Sequence, residues 1–141
     1  MTVDAILLPL FVQVGLTFFL LFWMGFVRVG ALRRREVALR DVALRQPAWP
    51  ERPTRIANAF HNQLELPLLF YVLVILALFT RKADTLFVVL AWMFVTTRLV
   101  HAGFHVTSND VQRRFFAFLV GALILLVMWV VFALRIFFAG L

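Results

Sequence analysis

Arg55, Asn58, His61, Asn62 and Glu65 recur within a largely apolar stretch that runs to Phe70. On a helix, at 100° per residue, they fall within an arc of about 120°. Arg98, His101 and His105 form a second polar stripe one hydrophobic segment later. Guanidinium groups pair with carboxylates, and asparagine and histidine side chains can orient amides. Facing one another, the two stripes would hold a small polar anion, and the apolar residues between them could admit a lipid-like second substrate. His61 with Glu65, and His101 with His105, are also i,i+4 pairs, a spacing that can hold a metal or haem in a helical bundle. The nearby Arg98 argues against a cation there.

These residues must be positioned inside a membrane. The chain has 141 residues and is 64% hydrophobic, with mean hydropathy +0.97. Soluble domains are roughly 45–50% apolar. Four hydrophobic blocks, at about 5–29, 57–79, 85–106 and 112–139, approach or exceed the roughly 20 residues that span a bilayer. The expected fold is an all-α membrane protein, a four-transmembrane-helix bundle in a single domain over 1–141. With no cysteine, disulfides, protein thiolates and cysteine-ligated metals are excluded, so any thiol chemistry brings its sulfur on the substrate. The net charge of +7 reads as membrane topology and contact with membrane lipids, not as nucleic-acid binding. Arg28, Arg33, Arg34, Arg35, Arg40, Arg45, Arg52 and Arg55 crowd the first connection, and Arg113 and Arg114 flank the third. Arg81 and Lys82 stand beside Asp84 in the second. The positive-inside rule makes the first and third connections cytoplasmic and puts both termini on the other side. The N-terminus has no basic region before its apolar run, so the first block reads as a retained helix.

Local signals refine this scheme. Gln13 and Thr17 read as packing groups of the first helix. Leu32–Arg45 reads as a helical extension lying at the interface. Pro47, Pro50 and Pro53 break the chain, Trp49 is an interfacial anchor, and Thr54 is the expected N-cap of the second helix. Pro67 is expected to kink that helix just past Glu65. The polar run Thr107–Asp110 can cap the fourth helix, and Arg135 is expected to snorkel outward. Counted along antiparallel helices, Glu65 and Arg98 both lie about 15 Å from the cytoplasmic boundary. That predicts a buried ion pair. His61 and Asn62 should then approach the level of His101, and Asn58 that of His105, in a cleft with Arg55 at its mouth.

The segment Arg55-Ile-Ala-Asn-Ala-Phe-His-Asn62-Gln-Leu-Glu65-Leu-Pro67-Leu-Leu-Phe70 resembles the helix-two signature of the MAPEG family, the membrane-associated proteins of eicosanoid and glutathione metabolism. Arg98-Leu-Val-His101-Ala-Gly-Phe-His105-Val-Thr-Ser-Asn109, followed by Arg113, resembles helix three of bacterial members. The resemblance covers essentially the whole chain. It implies a homotrimer, in a bacterial inner membrane, with glutathione as co-substrate in clefts between subunits. Arg55, Asn62 and Glu65 match glutathione-contacting positions, and Arg98 matches a helix-three arginine. Characterised eukaryotic members carry tyrosines along helix three, where this chain has His101 and His105; its one tyrosine is Tyr71. Arg113 or Arg114 would take the thiol-activating role. The implied activity is conjugation or reduction of hydrophobic electrophiles or lipid hydroperoxides. The alternative is a non-catalytic scaffold or lipid binder of the same fold.

Overall fold

The structure is a computed structural model that describes residues 1–44 and 48–138. Arg45, Gln46, Pro47 and the last three residues, where the fourth block was expected to end, lie outside the described residues. Five α-helices follow in order: α1 Val3–Arg33, α2 Glu51–Asn62, α3 Leu66–Phe79, α4 Thr85–Val106 and α5 Val111–Phe137. With α2 and α3 counted as one interrupted span, they give four helical segments long and apolar enough to cross a membrane. The chain is thus a multi-pass integral membrane protein. Its outward face fits lipid: Phe22, Phe26 and Phe79 are 72%, 79% and 86% exposed, a pattern that would be costly against water.

The helix ends have definite local causes. Asp84 caps α4 by accepting from the Phe87 N–H at 2.9 Å. Asp110 caps α5, as expected of the polar run, by accepting from Gln112 and Arg113 N–H at 3.0 and 3.2 Å. Three ends close through a left-handed residue: Arg35 after α1, Arg81 after α3 and Asn109 after α4. Each is accompanied by an amide reaching back five residues: Glu36 to Ala31, Lys82 to Ala77 and Asn109 to Phe104. That is the closure helices use to satisfy their last carbonyls.

Three local expectations are corrected. Leu32–Arg45 is not a helical extension: α1 stops at Arg33, and only a 3-10 turn at Leu39–Asp41 follows. Its five-residue echo builds no stripe that a surface helix could bury, and the Arg34–Glu36 ion pair at 2.6 Å brackets the left-handed turn at Arg35. Helix α2 begins at Glu51 with Pro50 as its N-cap. Pro53 is accommodated in the first turn, where its missing N–H has no helical partner, and Thr54 hydrogen-bonds back to the Pro50 carbonyl at 2.9 Å. Arg135 does not snorkel. It pairs with Asp84 at 2.6 Å, tying the end of α5 to the α3–α4 connection.

Pro67 does more than kink the second span. It cannot donate to the carbonyl four residues back, at Gln63, and its ring crowds that carbonyl. The helix stops at Asn62 and restarts at Leu66, with Glu65 at φ −98°, ψ −102°. Gln63, at the break, meets α1: the Gln13 amide donates to Gln63 Oε1 at 2.9 Å, and both side chains are buried.

Side-chain size divides the bundle. Toward the α3–α4 connection lies an apolar core built on Phe70, Leu73, Phe87, Phe94, Leu125, Met128 and Phe132, with Phe70 and Phe94 stacked at 4.8 Å. Toward the opposite, basic end a smaller cluster is built on Leu20, Ala59 and Ala102, with Val27, Ala31, Ile56 and Ala57 also buried. Small residues there leave room for polar side chains. Helix α5 rides closely on α4 at Gly121, where a Cβ would stand 2.6 Å from Thr97 Oγ1.

Candidate functional site

Three helices bring polar side chains together at the basic end. Asn62 is the last residue of α2, placed there by the break. His101 and His105 stand one turn apart on α4, their rings 4.8 Å apart and nearly perpendicular. Arg114 enters from the first turn of α5, which Asp110 caps. These four, with Val111, Phe115 and Phe118, line a cavity of about 310 Å³. Arg114 also bonds the Asn109 side chain, which anchors its guanidinium to the left-handed turn before α5.

Beneath this cavity Arg98 is fully buried. One guanidinium nitrogen meets His101 Nδ1 at 2.7 Å, and the group lies 5.7 Å from the Phe118 ring. Its Nε and Nη1 have no hydrogen-bond partner. The contact fixes the state of His101. An arginine only donates, so His101 Nδ1 accepts, and a neutral ring carries its proton on Nε2. His105 is set in the opposite sense. The Asn62 side-chain amide donates to the Asn58 carbonyl at 2.9 Å and lies 3.1 Å from His105 Nε2. The first bond orients the amide, so its second hydrogen faces His105 Nε2, which accepts. The proton of His105 then sits on Nδ1, a buried nitrogen with no partner.

The cavity is electropositive. Arg98 and Arg114 carry charge into it; of the carboxylates nearby, Asp110 lies 3.6 Å from Arg113, Glu51 pairs with Arg55, and Glu65 is exposed at the helix break. Opposite charges within a few ångströms in a poorly screened setting attract strongly, so this arrangement suits an anion.

The residues singled out from sequence separate into two groups. Asn62, Arg98, His101, His105 and Arg114 converge. Arg113 does not: it is exposed and lines an apolar groove between α4 and α5 with Thr96, Val100, Phe104 and Phe116. Arg55 is half-buried, donating to the Thr107 carbonyl at 2.9 Å, which staples α2 to the end of α4. Asn58 and His61 are exposed; the Asn58 carbonyl holds the Asn62 amide that meets His105, and the His61 ring lies tilted beside Phe60. The expected Glu65–Arg98 pair is absent within the subunit. Glu65 is exposed at the helix break, and no ion pair joins the two among the described residues, although the charge of Glu65 still acts on Arg98. Pro67 ends the helical period: α2 stops at Asn62, so Glu65 does not continue the stripe of Asn58 and Asn62. Among the described residues, no group of three or more His, Asp or Glu side chains could hold a metal ion.

One residue escaped the sequence reading. Gln63 is the partner of Gln13, and the two form the buried link between α1 and the break. The signal was present: an amide inside an apolar span must find an internal partner, because the bilayer offers none.

Residues 6–134 match the family model described as MAPEG family. Comparisons with curated proteins and with solved structures return no match. The matched span reaches into all five helices and contains every residue of the cavity, and on that ground the chain belongs to the MAPEG family.

Proposed function

We propose that this protein binds glutathione in the cavity of Asn62, His101, His105 and Arg114 and uses its thiolate against hydrophobic electrophiles or lipid hydroperoxides. The observation that supports this reading best is the convergence of Arg114, two histidines and an asparagine amide around an electropositive hollow inside an otherwise apolar bundle. Glutathione is a polar anion whose carboxylates and peptide groups suit these partners. The cavity is at the low end of the roughly 300–1,000 Å³ of ligand sites. In a homotrimer a neighbouring subunit would complete the wall, and the exposed Asn58, His61 and Glu65 would face that interface. The first and third connections are then cytoplasmic, and the setting is a bacterial inner membrane.

In the conjugation reaction, glutathione loses its thiol proton to water, the thiolate forms a carbon–sulfur bond, and the leaving group departs with the electron pair. Against a hydroperoxide, two glutathiones reduce one peroxide to alcohol and water and leave as the disulfide. Arg114 lies where it can stabilise the thiolate, each pKa unit of lowering being worth about 1.4 kcal/mol. His101 Nε2–H supplies a neutral donor in place of a tyrosine hydroxyl.

The test is ultraviolet thiolate absorbance and calorimetric binding on adding glutathione to purified protein. Wild type and Arg113→Gln should show both signals. Arg114→Gln should lose the thiolate signal, with turnover falling about 10²–10³-fold, the scale of removing one preorganised electrostatic partner. Wild-type protein that neither binds glutathione nor forms thiolate would overturn the proposal. A non-catalytic lipid-binding scaffold is the second reading, favoured by the lack of any tyrosine on α4. Melting that is insensitive to glutathione and to lipid hydroperoxides would select it.

A further inference from the structure

A second cavity lies elsewhere, between the end of α1 and the start of α2. It holds about 660 Å³ and is lined by Gly25, Phe26, Val29, Arg33, Arg34 and Arg52, among others. Three arginines line it against one carboxylate, Glu36: Arg34 is paired with Glu36 at 2.6 Å, whereas Arg33 and Arg52 take part in none of the ion pairs among the described residues. The first turn of α2 borders it with no side-chain cap, and Pro53 in that turn has no N–H, so only the Glu51 and Arg52 amides are left without a helical partner there. Gly30 lets the Arg34 guanidinium fold back along α1, with Nη1 only 3.2 Å from where a Cβ would stand.

The apolar side of the cavity continues into the bilayer. Phe18, Phe22, Phe26, Val29 and Arg33 follow spacings of four, four, three and four along α1, which puts them on one face within an arc of about 80°. The four apolar members are 53%, 72%, 79% and 49% exposed. A stripe of exposed rings thus runs along the span and ends at an unpaired guanidinium beside the hollow.

We propose that this cavity binds the headgroup of an anionic phospholipid, with Arg33 and Arg52 meeting the phosphate and the acyl chains lying along the Phe18–Phe22–Phe26–Val29 stripe. A soluble anion would satisfy the arginines but leave the stripe unused. A neutral lipid would cover the stripe but leave the positive charge without a partner. The site is independent of the glutathione cavity, with which it shares no lining residue.

The experiment is native mass spectrometry of delipidated protein in detergent, titrated separately with phosphatidylglycerol, phosphatidylcholine and glycerol phosphate. One phosphatidylglycerol per subunit is expected to bind most tightly. Arg33→Gln/Arg52→Gln should weaken it at least tenfold, since hydrogen bonds to charged groups are the stronger class. The control Arg35→Gln/Arg40→Gln removes the same charge outside the cavity and should change binding less than about threefold, its charges being screened by salt.

A second pair tests the cavity without touching charge. A Cβ on Gly25 or on Gly15 meets no atom within 4 Å, so both accept a larger side chain, and leucine also favours helix. Gly25→Leu fills the hollow and should abolish tight binding, while Gly15→Leu should leave it intact. Equal loss in both arginine pairs, retention by Gly25→Leu, or equal binding of phosphatidylcholine or glycerol phosphate would each overturn the proposal.

Discussion

The link between Gln13 and Gln63 yields an asymmetric prediction. In Gln13→Leu, Gln63 Oε1 loses its donor. The same change removes Gln13 Oε1, which has no hydrogen-bond partner in the wild type, so one orphaned acceptor replaces another. The net loss is one hydrogen bond, about 0.5–1.5 kcal/mol. Gln63→Leu is worse. It strands the whole Gln13 amide at a fully buried position and also removes the bond from Gln63 to the Ala59 carbonyl at 3.0 Å. Leaving a buried polar group unsatisfied costs about 1–3 kcal/mol. In the double variant no stranded amide remains, so its cost should fall below the sum of the singles by about 0.6–1.7 kcal/mol, the range for interhelical bonds in membranes. The assay is equilibrium unfolding of the four proteins in mixed micelles, closed as a double-mutant cycle. Additive single effects, or a Gln13→Leu variant less stable than Gln63→Leu, would refute the reasoning.

Gly121→Ala should destabilise by about 1–3 kcal/mol, because its Cβ would stand 2.6 Å from Thr97 Oγ1. Thr97→Ala in the same chain should recover much of that loss, and thermal melts of the single and double variants check it. At the opposite end, the hydrogen bond from Arg135, joined by the Phe87 amide and the charge of Arg135, holds the Asp84 carboxyl below its ordinary value of 3.8. A depressed folded value means the ion pair stabilises above about pH 4 and loses that contribution as pH falls through the folded value. Because Asp84 is half exposed, the effect is small, and Asp84→Asn should remove this part of the acid dependence of melting. Nitrogen-15 spectra should find His101 protonated on Nε2 and His105 on Nδ1. Arg98→Gln should release the bias at His101, and a proton on His101 Nδ1 in wild type would contradict the arginine contact.

The sequence by itself determined the class of this protein. Four apolar runs, each long enough for a bilayer, leave few architectures open, because every backbone group within the membrane must find an internal partner. It also gave Asn62, Arg98 and the two histidines as residues that an apolar span does not retain without a partner. Periodicity went wrong where it was carried through Pro67. An angle of 100° per residue holds only along an unbroken helix, so the direction of Glu65, past the end of α2, could not be carried over from that stripe, whereas Asn58 and His61 keep the period of α2 and are exposed on it. The choice between Arg113 and Arg114 was likewise out of reach of spacing. Neighbours in sequence diverge by 100°, and only the cap at Asp110 and the close seat of α5 on α4 at Gly121 decide which one turns toward Asn62. The partner of Gln13 could not be read from sequence because it lies fifty residues away, at the very break past which Glu65 leaves the stripe.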